Sequence, residues 1–114
     1  MHDIVRLIID AQEGLPIWPP EYARALGQDL NELEELAGVA EDTALISPDS
    51  EELQRYMRAS LVVITVLIRV SLDPAKALIC FRRLPVGELE DQTPEMLVSS
   101  GRTIDLLLRL QGAL

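Results

Sequence analysis

The chain has 114 residues, of which 48% are hydrophobic and only 4% aromatic, so it is long enough for an aliphatic core without disulfides or a structural metal. Its formal charge of -9 and its single cysteine exclude a disulfide framework and argue against a basic nucleic-acid-binding surface. The longest apolar stretch, Leu61 to Ile68, is far too short to span a bilayer, and the first apolar run carries Arg6 and then Asp10, unlike a signal peptide. The expectation is a soluble, cytoplasmic protein with no membrane association. Cys80 reads as a small buried core residue.

In chain order, Ile4, Val5, Leu7, Ile8 and Ile9 predict a short helix that ends at Gly14. Pro20 fits the first turn of a second helix, with Tyr22, Ala25 and Leu26 on one face and Gly27 as its stop. Asp29 followed by Glu32 has the spacing of a capping box, and the third helix carries Leu30, Leu33, Leu36 and Ala37 inward before Gly38. A short apolar pattern, Val39, Thr43 and Ile46, follows and closes at Ser47-Pro48.

The longest element is predicted from Ser50, its N-cap, to Leu72, with Leu53, Met57, Leu61, Ile64 and Ile68 as its inner stripe. The β-branched run from Leu61 to Val70 would suit a strand on local propensity, but no second strand is available to pair with it. Asp73-Pro74 starts another helix that runs through Arg83 and stops before Pro85. Thr93-Pro94-Glu95 repeats that start signal, Gly101 ends the segment, and Arg102 to Leu110 forms a last leucine-bearing helix. The predicted class is all-α: a compact unit with a helix-turn-helix-like region over 1–49, and a long helix plus helical region over 50–114.

Charge is unevenly placed. Nine carboxylates and no Lys or Arg lie between Asp29 and Glu52, while the remaining acids and bases balance. This acidic block overlaps the helix-turn-helix-like segment, where a DNA-binding protein needs cations to neutralise phosphates.

Nothing in the chain assembles a catalytic set. The only histidine is His2, so neither a Ser-His-Asp nor a Cys-His arrangement is available, nor is a histidine metal site. Glu88, Glu90 and Asp91 sit in a polar loop with no feature to separate their pKa values. Calcium-loop spacing and a glycine-rich phosphate loop are both missing. The expectation is a protein that is not an enzyme and carries no cofactor or metal.

Two runs of residues resemble one family. Leu33-Glu34-Glu35-Leu36-Ala37-Gly38-Val39, followed by Thr43, is similar to the helix-turn-helix of Xre-type regulators. Ala77 to Arg82, Pro85, Leu89, Thr93 to Leu97, Gly101 and Leu107 resemble, in order, the toxin-binding domain of the Xre/MbcA/ParS antitoxins. The resemblance covers roughly Tyr22 to the C-terminus. It departs from the pattern at Glu34, where the motif has alanine, and at Glu41 and Asp42, where it has small polar or basic residues. Cys80 stands in place of tryptophan, and Asp91 stands near a common glycine.

The resemblance implies a homodimeric antitoxin that occludes the active site of a RES-like, NAD-consuming toxin encoded by a neighbouring gene. Its toxin-binding residues would be Arg82, Arg83, Glu88, Arg102, Arg109, Leu110 and Leu114. Arginine suits such an interface because its planar fork makes several directional bonds. Arg109 also has Asp105 at the i, i+4 spacing of a local surface pair. Leu106, Leu107, Leu108 and Leu110 make the last helix apolar around most of its girth, which favours burial against a second chain. The alternative is an Xre-class DNA-binding transcriptional regulator, for which Thr43, Arg55 and Arg58 are the candidate contacts. The acidic block disfavours DNA.

Overall fold

The computed structural model describes residues 3–112, and among them the chain is all-α. Eight α-helices occur in order: α1 (Asp3–Gln12), α2 (Pro19–Leu26), α3 (Leu30–Ala37), α4 (Thr43–Ile46), α5 (Glu51–Ser71), α6 (Pro74–Arg83), α7 (Pro94–Ser99) and α8 (Thr103–Gln111). One 3-10 turn at Gly87–Leu89 sits in the loop before α7, closed by an isolated antiparallel bridge between Val86 and Gln92. The chain packs as two units, Met1–Leu61 and Val62–Leu114, and the division falls inside α5.

Helix boundaries follow the local chemistry. The Asp29 carboxylate accepts the Glu32 N–H at 2.8 Å, Asp73 accepts the Ala75 N–H at 2.9 Å, and Thr93 Oγ1 accepts the Met96 N–H at 3.2 Å. Each of these satisfies a first-turn donor that has no partner within the helix. At the end of α3, Gly38 adopts φ 72°, so its N–H and that of Val39 reach back to the carbonyls of Glu35 and Glu34. A residue with a Cβ would be strained in that conformation.

In the first unit α1 lies against α2, α2 against α3, and α3 against α4. Ile4, Ile17, Tyr22, Leu33, Leu53 and Met57 are buried there, and the Tyr22 and Tyr56 rings meet edge to face with centroids 6.5 Å apart. Two polar side chains on α5 hold the segments preceding it. The Gln54 amide donates to the carbonyls of Ile17 at 2.7 Å and Pro48 at 2.9 Å and accepts the Ile17 N–H at 3.0 Å. Arg58 donates to the carbonyls of Ala11 and Leu15, bringing its charge to the C-terminal end of α1, where helix carbonyls are left over.

In the second unit α6 contacts α7 and α7 contacts α8. Val63, Ile64, Ala77, Phe81, Leu97 and Leu106 are buried. The expected inner stripe of α5 holds at Leu53, Met57, Leu61 and Ile64, and it is wider than the five positions read from sequence, since Tyr56, Ser60, Val63 and Leu67 are also buried. Cys80 is half-buried, so it is not the enclosed core residue expected from its neighbours.

α4 is where the expected pattern fails. Val39, Thr43 and Ile46 form the apolar pattern in the sequence, yet Ile46 is 79% exposed and Ala44 is the residue that turns inward. α4 is a single turn entered from Asp42, whose φ is 69°, and that left-handed entry rotates Leu45 and Ile46 to the outside.

Candidate functional site

In the second unit, the acidic loop before α7 is tied to α8 by ion pairs. Arg102, at the entry of α8, reaches Asp105 at 3.3 Å and Glu90 at 3.7 Å, and Arg109, one helix turn beyond Asp105, pairs with Glu88. All four side chains of the Arg102–Glu90 and Arg109–Glu88 pairs keep substantial solvent access, so their mutual attraction is modest and screened. Their effect is positional: they fix the loop beside the helix. The expected local pair of Arg109 with Asp105 is not formed, because Arg102 occupies Asp105 and the loop carboxylate Glu88 is within reach of Arg109.

Arg82 differs from the others. Its Nε lies 3.2 Å from the Glu95 carboxylate, and the two side chains are only 19% and 7% exposed. This pair joins α6 to α7 from within, so Arg82 is a packing residue and not an outward anchor. Arg83 is exposed and Leu110 half-buried, while Leu114 lies outside the described residues. Of the seven residues expected to bind a toxin, the structure therefore brings Glu88, Arg102 and Arg109 together on the surface of loop and helix.

Beside those charges α8 presents an apolar pair, in which Ile104 joins Leu108, one of the leucines that favour burial against a second chain. Ile104 and Leu108, spaced i, i+4, are 69% and 64% exposed, whereas Leu106 is fully buried and Leu107 and Leu110 are intermediate. The excess of leucine noted in the sequence thus resolves into one inward residue and an outward aliphatic stripe. The missed signal was the Ile104 to Leu108 spacing itself, hidden by the adjacent leucines.

In the first unit, the residues proposed for DNA contact are already engaged. Thr43 Oγ1 donates to the Ala40 carbonyl at 2.6 Å, Arg55 pairs with Glu51 at 2.7 Å, and Arg58 binds the two carbonyls at the end of α1. Glu34, the departure from the helix-turn-helix pattern, is only 3% exposed. Its Oε2 accepts the Ala44 N–H at 2.8 Å, and because Asp42 makes no side-chain cap, this carboxylate on α3 serves the N-terminus of α4 in its place. A recess of about 240 Å³ opens beside it, lined by Asn31, Glu34, Glu35, Val39 and Glu41.

No group of three or more histidine, cysteine or acidic side chains among the described residues is arranged to hold a metal ion. No described helix is long and apolar enough to cross a membrane. Comparison of the chain with family models, with curated proteins and with solved structures finds no match.

Proposed function

We propose that this chain is an antitoxin-type binding protein that neutralises a RES-like, NAD-consuming toxin encoded beside it by covering the entrance to the toxin's active site. The observation that carries the reading is the surface of the second unit, where Ile104 and Leu108 project from α8 next to the ion-paired Arg102, Arg109, Glu88 and Glu90. Protein interfaces combine such an apolar centre with arginine-bearing polar edges. The loop and α8 are the same segments that the resemblance to the Xre/MbcA/ParS antitoxins assigns to the toxin, and binding there needs no catalytic group. Dimerisation and cytoplasmic location belong to this proposal as well.

The regulator reading is less well supported. Arg55 and Arg58 are the basic residues among its candidate contacts, and each is bound to a partner within the first unit. A phosphate would have to compete with those partners and with the carboxylates around them.

The test is co-expression with the product of the neighbouring gene, with a tag on one partner only. Co-elution together with relief of the growth arrest caused by the neighbour alone is the expected result. The Ile104→Ser/Leu108→Ser chain should lose both. No co-elution and no arrest to relieve would dismiss the reading.

A further inference from the structure

The first unit carries a second surface. On α4, Leu45 is 68% and Ile46 79% exposed, so two adjacent large aliphatic side chains stand in solvent on a helix of a single turn. They adjoin the recess lined by Asn31, Glu34, Glu35, Val39 and Glu41, because the Glu34 carboxylate that lines it is bonded to the Ala44 N–H, one residue before Leu45. Glu35, Glu41 and Asp42 are exposed around this apolar pair, and no cation occurs anywhere between Asp29 and Glu52 to balance them. The next cation along the chain, Arg55, is bound to Glu51.

From this juxtaposition we infer that the α3–α4 face docks a basic, amphipathic polypeptide segment. Leu45 and Ile46 take the apolar side of the segment, and the recess beside Glu34, Glu35 and Glu41 takes a lysine or arginine side chain. Charge complementarity selects this occupant. An apolar partner without cations would leave the carboxylates desolvated and unpaired at the rim, and a nucleic acid would bring phosphates against them. The recess is large enough for one long basic side chain, and the aliphatic pair beside it supplies the non-polar contact that a charged rim alone lacks. The position a recognition helix would take in a DNA-binding protein thus becomes a protein-docking face. This inference concerns the first unit and is independent of the toxin-binding proposal.

The experiment is fluorescence anisotropy with the full chain and a labelled helical peptide made of leucine and lysine, its leucines all on one side. Two control peptides replace leucine by serine or lysine by glutamate. The Leu/Lys peptide should bind saturably and more weakly as salt is raised, and both controls should bind at least about tenfold more weakly. Leu45→Ser/Ile46→Ser should weaken binding of the Leu/Lys peptide about tenfold, and Glu35→Lys/Glu41→Lys by at least as much. These side chains are exposed, and unchanged circular dichroism will show that the variants fold. Ile104→Ser/Leu108→Ser should leave the affinity unchanged. Absence of binding, an equal affinity for the Ser/Lys peptide, indifference to the Leu45 and Ile46 substitutions, or tighter binding of duplex DNA would each overturn the inference.

Discussion

Replacing Glu34 isolates the role of a buried carboxylate inside an acidic block. In Glu34→Ala the Ala44 N–H, on a residue only 1% exposed, loses the acceptor 2.8 Å away. Loss of a helix cap that leaves a buried donor unsatisfied costs about 2 kcal/mol. For a chain of this length that corresponds to a fall of roughly 8 °C in melting temperature. Glu34→Gln keeps an acceptor oxygen and loses only the charge-assisted part of the bond, about 1 kcal/mol. It also removes one carboxylate from the neighbourhood of Glu35 and Glu41, and each such repulsion at ~8 Å in water is worth roughly 0.5 kcal/mol. The two contributions of Gln oppose each other, so it should be close to neutral while Ala is clearly destabilising. Urea unfolding followed by circular dichroism, with hydrogen exchange at the Ala44 amide, separates them. Equal destabilisation by Gln and Ala, or an Ala variant as stable as the parent, would refute the capping argument. So would Ala44 exchange that does not accelerate in Glu34→Ala.

Three further expectations rest on single residues. Gln54→Ala removes all three hydrogen bonds that join α5 to Ile17 and Pro48 and should cost about 2–3 kcal/mol in urea unfolding, whereas Gln54→Asn, too short to reach, should recover little. Leu72 holds φ 60° with its side chain 86% exposed, so Leu72→Gly should raise the melting temperature slightly, the relief of about 1 kcal/mol of backbone strain exceeding the entropy cost of glycine. Glu52 titrates below the ordinary value of 4.5 because its own backbone N–H and then the Ser50 hydroxyl bond to its carboxylate. Since the folded pKa is the lower one, the stabilisation it brings is present above the unfolded value and is lost as pH falls through the folded one. An NMR titration of the Glu52 side chain should therefore give a pKa below 4.5 that rises in Ser50→Ala.

The helices were legible because their ends are written in local chemistry. Asp29, Asp73 and Thr93 accept first-turn N–H groups where their spacing predicted, and Gly38 takes the left-handed conformation expected after α3. The end of α5 was harder to place physically, since Leu72 occupies a left-handed position that usually falls to glycine, while Ser71 and Asp73 make the surrounding bonds.

Features set by tertiary placement were not legible. Glu34 read as a mismatch to a motif, and only its position under α4 makes it a cap. The outward turn of Leu45 and Ile46 depends on the left-handed entry at Asp42, which periodicity does not encode. Arg109 had a partner by helix spacing, but Glu88, from a loop distant in sequence, is the carboxylate it meets. For the same reason Arg82, grouped with the other arginines from sequence, belongs to a mostly buried pair with Glu95.

The central proposal is that the loop and α8 of the second unit cover a toxin's active site. Its most direct measurement is the NAD consumption of the purified product of the neighbouring gene as this chain is titrated in. Activity should fall to the background at a fixed stoichiometry, and the Ile104→Ser/Leu108→Ser chain should fail to inhibit at the same concentrations while Leu45→Ser/Ile46→Ser inhibits like the parent. Undiminished NAD consumption at saturating chain, or equal inhibition by the α8 variant, would contradict it.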